Sequence, residues 1–454
     1  MGEGVIDTER AVLAPLPVSE PPKHTAPRLA EGVELIGEYE GSGFQEPKYI
    51  LRRADGQVIQ VPPLLYLLAG SLDGKRDLEQ VATRLSDEFG RDLGAEQVSF
   101  LLDYRLRPAG ILASDPEAAA VAPAGMQSDP LLALRFRVGV VPERVSWVLA
   151  GIFRPFFFPP VVLTALAAFV ALDVTIALRG GLGQIQASAL AMVHRPELTL
   201  LVMALVLASG MFHECGHVAA CRYGGARPGR MGFGIYIVWP ALYSTVTDSY
   251  RLSRRGRLRT DLGGVYFNAI FIAGMSVAYL YTGSPWLLIA ILLMHVEAMR
   301  QFLPFVRFDG YYILSDLIGV PDLFSRIGPV LRSIFRRRES HPRVQELKPW
   351  VRRVLTLWVI LVIPAIVYFL VPFVILAPAV LPVVWDSLVH RGPAVVDAAQ
   401  TGQLASATLG VIQMFLLVLP WAGVTLILWM MGARWTRAGR ACWRRRRAGS
   451  WQSQ

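Results

Sequence analysis

Cysteine is scarce in this chain. Cys215, Cys221 and Cys442 are the three present, and each lies in or beside an apolar run, so no disulfide framework of the kind small secreted domains use is on offer. Charge is thin as well. Asp, Glu, Lys and Arg make up 18% of the residues against 53% hydrophobic, and the mean hydropathy is +0.42. That balance excludes a large soluble enzyme and points to a chain that crosses a bilayer repeatedly. The first 25 residues lack an apolar core, so no secretory signal is expected there. Acidic residues are outnumbered, 35 to 45, for a net charge of +10. Basic runs can bind nucleic acid, but here each abuts an apolar segment, which reads as anchoring at a membrane surface and not as a nucleic-acid interface.

What is present is a set of long apolar runs. Six approach the roughly 20 residues a helix needs to span a bilayer: 159–178, 198–221, 262–281, 285–299, 354–377 and 407–431. The fourth is short, and the fifth contains Pro364 and Pro372, which predicts a kink or close burial. Arginine and lysine collect in alternate loops, at 222–259, at 326–353 and in the tail at 434–447. The positive-inside rule then places both termini in the cytoplasm. The fold class expected is a mostly α polytopic membrane protein of about six transmembrane helices, in a bacterial cytoplasmic membrane.

The second run carries the chemistry. Uncharged from Leu198 to Phe212, it then reads His213-Glu214-Cys215-Gly216-His217. Ionisable groups at bilayer depth are costly and usually functional. Residues i and i+4 share a helix face, so His213 and His217 can offer two ring nitrogens to one metal ion. Glu214 stands where the general base for a zinc-activated water must be. The plainer alternative is a pair of core histidines around a buried acid, each needing its own buried partner.

A catalytic zinc needs a third protein ligand. The best candidate is Asp309, just past the fourth run, on the side where the His213–His217 helix also ends. Pro304 can break the helix before it, and Gly310 permits an unusual turn. Asp309 can equally cap the helix that follows. Asn268, a lone amide in an apolar span, can donate to charge developing on a substrate carbonyl or make an interhelical hydrogen bond. His295, Glu297 and Arg300 form a further polar group in the fourth run. Glu297 and Arg300 are spaced to pair with each other, and His295 can support the site from behind its ligands. The apolar but glycine- and proline-broken stretch 231–246 is too interrupted to span as a helix and reads as a hairpin or re-entrant ribbon.

The front of the chain is different. Residues 1–28 are rich in Pro, Ala and charge and read as disordered. From 29 to 112, two short strands flank Asp55-Gly56, and three short helices follow, the second opened by an Asp77–Gln80 capping box. That order fits a small α+β winged-helix-like cytoplasmic domain. Residues 113–153 read as a linker and an interfacial segment, 154–432 as the membrane domain, and 433–454 as a basic cytoplasmic tail.

The His213-Glu214-x-x-His217 motif, Gly264–Asn268 (GVYFN), Arg307–Tyr312 (RFDGYY) and the small leading domain together resemble the site-2 protease family of intramembrane zinc metalloproteases. The resemblance lies closest to the branch described as peptide zinc metalloproteases, with differences at Leu303 and Val265. It implies that His213, His217 and Asp309 bind Zn2+, that Glu214 is the general base and that Asn268 supports the oxyanion. The front domain resembles the peptide-recognition element found in biosynthesis of ribosomally made peptides, which implies a leader peptide added as an edge strand. The function expected is a zinc metalloendopeptidase cutting a membrane-associated or ribosomally made peptide near the cytoplasmic face. The alternative is a non-catalytic membrane subunit that binds or exports a modified peptide.

Overall fold

The computed structural model of the chain describes residues 5–7, 26–54, 56–113, 134–236, 238–335 and 341–450. Most of the stretch read as disordered, most of the expected linker, and Asp55 of the expected turn lie outside them.

In the front unit, Glu34–Glu38 (β1), Tyr49–Arg52 (β2) and Val58–Val61 (β3) form an antiparallel ladder. Val5–Asp7, within the amino-terminal stretch, adds to β3 in parallel, with Val5 opposite Val58. Helices Pro63–Gly70 (α1), Leu78–Phe89 (α2) and Ala95–Leu101 (α3) cover one face. The start of α2 is set by a reciprocal cap: Gln80 N donates to Asp77 Oδ1 at 2.8 Å, and Asp77 N donates to Gln80 Oε1 at 3.3 Å. Leu51, Ile59, Leu68, Val81, Leu85, Val98 and Leu102 form the core beneath, at the spacing amphipathic helices and alternating strands provide.

The remainder is a mostly helical membrane protein. After strand Leu134–Val141 (β4), helices follow at Glu143–Phe153 (α4), Pro159–Leu178 (α5), Gly181–Val193 (α6) and Pro196–Tyr223 (α7). A hairpin, Met231–Tyr236 (β5) and Trp239–Ser244 (β6), pairs with β4 to make a second sheet, in the order β4-β5-β6. Next come Arg254–Thr282 (α8), Trp286–Gln301 (α9), Asp309–Ile318 (α10), Ile327–Phe335 (α11), Pro342–Gln345 (α12), Pro349–Gln400 (α13) and Leu404–Ser450 (α14).

Among the described residues, five helices are long and apolar enough to cross a membrane: α5, α7, α8, α13 and the Leu404–Met430 part of α14. The fourth expected span is α9, which has 16 residues and falls short of the usual length. Beyond the fifth expected span the chain stays helical as far as Gln400, with Pro378, Pro382 and Pro393 inside α13. Each proline removes one ladder hydrogen bond. Runs of Val, Leu and Ala between them, packed against α14, keep the helix going, as apolar surroundings allow.

Two close approaches position the site. Helices α7 and α8 cross at Gly216 and Gly263, where a Cβ on either would fall inside 3.0 Å of the other's carbonyl oxygen. Only glycine lets the two backbones meet there. The front unit is clamped to the membrane unit through residues 39–48. Gly43 N donates to Gly319 O at 2.9 Å, Gln45 N to Glu346 O at 2.8 Å and Lys348 N to Gly43 O at 2.9 Å. Phe44 fills a pocket with Tyr311, Leu347 and Val351.

Candidate metal centre

Helix α7 brings its two histidines together as the spacing requires. His213 Nε2 and His217 Nε2 lie 3.1 Å apart. Asp309, the first residue of α10, reaches them from the other side: Oδ2 is 3.1 Å from His213 Nε2 and Oδ1 is 3.4 Å from His217 Nε2. All three residues are buried, and no other trio of His, Cys, Asp or Glu converges in this way among the described residues. Donor separations of about 3.3 Å are what four ligands at roughly 2.0–2.1 Å from a tetrahedral zinc produce. The residues therefore fit the ion.

The surroundings orient His217. His217 Nδ1 lies 2.8 Å from Thr260 O of α8. A carbonyl oxygen can only accept, so Nδ1 carries the proton and Nε2 keeps its lone pair for a metal. Gly264, one turn further along α8, faces the pair. A Cβ there would lie 2.5 Å from His213 Nε2 and Cε1, and closer still to His217 Nε2. The glycine of the GVYFN segment thus leaves the space that the imidazoles occupy.

Asp309 is held by the loop before it. Gly310 has no room for a side chain against Phe302 O. Trp358 Nε1 donates to Pro304 O at 2.9 Å, and Arg307 N to the Tyr236 hydroxyl at 3.4 Å. Arg307 Nη2 pairs with Asp322 at 3.0 Å, and Asp322 sits at φ 52°, a rare non-glycine conformation. Phe308 occupies the cap position of α10 with no side-chain cap bond, and Asp309 is the first residue inside the helix. An Asp309→Ala variant is expected to weaken zinc binding by more than about tenfold, read by competition with a zinc chelator. Wild-type affinity would remove Asp309 from the site.

Glu214 is half-buried beside the trio, and its Oε2 is buried without a hydrogen-bond partner. Asn268 lies one turn beyond Gly264, buried, with Oδ1 accepting from Ser209 Oγ at 3.5 Å. His295 does not stand behind His213 or His217. Its Nε2 pairs with Asp173 of α5 at 3.0 Å, and its ring stacks on Phe169. Glu297 and Arg300 pair with each other.

Sequence reasoning missed Thr260, whose role belongs to its backbone carbonyl and leaves no side-chain signal. It also counted Arg257 as a membrane-surface anchor, whereas Arg257 is 0% exposed and pairs with Asp316 at 3.2 Å. A lone acid at 316 on the apolar side of a short helix was the available signal.

No family model and no solved structure matches the chain. One curated protein does, the Bacillus subtilis (strain 168) protein YydH, named "Putative peptide zinc metalloprotease". The two are 25% identical over 132 residues, 29% of this chain and 52% of the relative, so the chain spans about half the length of the protein it resembles.

Proposed function

We propose that this chain is an intramembrane zinc metalloendopeptidase. The observation that carries the reading is the triangle of His213 Nε2, His217 Nε2 and the Asp309 carboxylate, with separations of 3.1–3.4 Å, beside a Glu214 oxygen without a hydrogen-bond partner among the described residues. When bound, zinc supplies a Lewis acid that polarises a peptide carbonyl and makes water acidic enough to act as a nucleophile near neutral pH. His213, His217 and Asp309 would hold the ion. Glu214 takes a proton from the attacking water and returns it to the departing amine. Asn268 steadies the negative charge that develops on the carbonyl oxygen.

The substrate is a peptide or membrane-protein segment cut near the cytoplasmic face. Six crossings, with α9 as the short fourth, and both termini in the cytoplasm complete the topology. The β4-β5-β6 sheet offers an outer strand, β6, to which an unwound substrate segment can add. The front unit, read as a winged helix, recognises a leader peptide in the same manner. Support comes from the zinc metalloprotease name of the relative and from the apolar helices around the centre.

The test uses the full chain purified in detergent. About one zinc per chain is expected, with cleavage of a mixed peptide library that chelation abolishes and added zinc restores. Absence of zinc overturns the proposal. Zinc without any cleavage favours a subunit that binds or exports peptides.

A further inference from the structure

A buried ionic cluster lies between the front unit and the metal centre, and the proposed reaction makes no use of it. Arg257 of α8 donates through Nε to Asp316 Oδ1 of α10 at 3.2 Å. Tyr39 of the front unit, 1% exposed, donates its hydroxyl to the same oxygen, also at 3.2 Å. Its ring lies 4.2 Å from the guanidinium carbon. The remaining guanidinium nitrogens donate to Glu40 O at 2.9 Å and to Leu252 O at 2.8 Å. One side chain therefore binds α10, the front unit and the loop leading into α8.

Both ends of this cluster lead to metal-site donors. Asp316 is two turns after Asp309 on the same helix, and at the next turn Gly319 O accepts from Gly43 N of the front unit. Fixing those points fixes the depth and tilt at which α10 presents its first residue. Arg257 is one turn before Thr260, whose carbonyl accepts from His217. Packing alone does not call for these groups. A phenylalanine would fill the Tyr39 site, and a buried Arg–Asp pair is generally no more stabilising than apolar residues of the same shape. What the ionic cluster adds is a single geometry.

We propose that Tyr39, Arg257 and Asp316 are positioning residues for the metal centre: through them the front unit sets α10 against α8, and so sets the reach of Asp309 to His213 and His217. This rests on the metal-centre reading above. It makes the front unit a working part of the protease and not a tethered adaptor. Burial, and then the Asp316 carboxylate, push the Tyr39 phenol well above its ordinary pKa, so it remains a donor across the physiological range.

Tyr39→Phe removes only the hydroxyl and keeps the ring. In the full chain in detergent, its zinc dissociation constant, read by competition with a fluorescent chelator, is expected to rise about tenfold. Hydrogen exchange in residues 309–318 should quicken, with the melting temperature unchanged. Asp316→Asn, which keeps an acceptor, should retain more zinc affinity than Asp316→Ala. Gln45→Ala loses bonds to Gln345 O and Leu347 O, on the far side of the same docking loop, and should leave both readouts alone. Wild-type values for Tyr39→Phe in both readouts overturn the proposal, as does an equal effect from Gln45→Ala. If the wild-type chain holds no zinc, the protease reading fails, and exchange in 309–318 alone decides the clamp.

Discussion

Glu214→Gln should keep its zinc and cut peptides about 10²–10⁴-fold more slowly than wild type. Glu214 is not one of the three converging donors, so its replacement takes no ligand from the ion. Glutamine has the same shape and fits the same half-buried site on α7, so packing against α8 is unchanged. It cannot accept a proton at neutral pH, and the transfer from water to the leaving amine loses its carrier. The Oε2 atom is buried without a hydrogen-bond partner among the described residues, so the exchange breaks no bond to that oxygen there. Zinc content and initial cleavage rates on the same preparation make the check. An undiminished rate at full zinc occupancy refutes the base assignment, and loss of the metal makes Glu214 a structural support of the centre.

Gly264→Ala should empty the metal centre while leaving the helix sound. The new methyl would stand 2.5 Å from His213 Nε2, well under any real carbon contact, on a backbone that cannot retreat because α8 is pressed against α7 at Gly216 and Gly263. His217 is tied to Thr260 O, so the imidazoles have no joint escape, and one must swing out. Zinc affinity is expected to fall by more than about 100-fold, beyond the usual cost of losing an outer-shell partner. The effect on the helix itself has the opposite sign. Alanine in a helix interior is favoured over glycine by roughly 0.5–1 kcal/mol, so circular dichroism should show no loss of helix. Zinc bound as in wild type would mean the glycine is kept for another reason.

Much of the centre was legible because it is written in side chains at fixed spacing. The i,i+4 histidines and the intervening acid need only helix geometry to converge, and Asp309 follows from the need for a third donor. What could not be read belongs to backbone and distance. Thr260 acts through its carbonyl, Gly264 through an absent Cβ, and the docking loop meets partners about 300 residues away. Arg257 looked like every other arginine of its basic loop, and nothing in sequence separates a buried guanidinium from a surface anchor until its partner is known.

The docking loop also sets an order of assembly. Gln45 bonds to the carbonyl of Gln345, a separation of 300 residues. At ordinary synthesis speeds that interval is about 15–60 s. During it the front unit has emerged without the surface it grips, and Phe44 and Gly43 face solvent, where they can pair wrongly. The last bonds of the clamp, Gln45 N to Glu346 O and Lys348 N to Gly43 O, form only once the segment leading into α13 has been made, after α7 and α8 have been synthesised. A chain stalled or cut before that point would carry the complete His213–His217 pair and yet lack the grip at Leu347 and Lys348. Docking of the front unit is thereby completed only when the polypeptide has been made as far as Lys348.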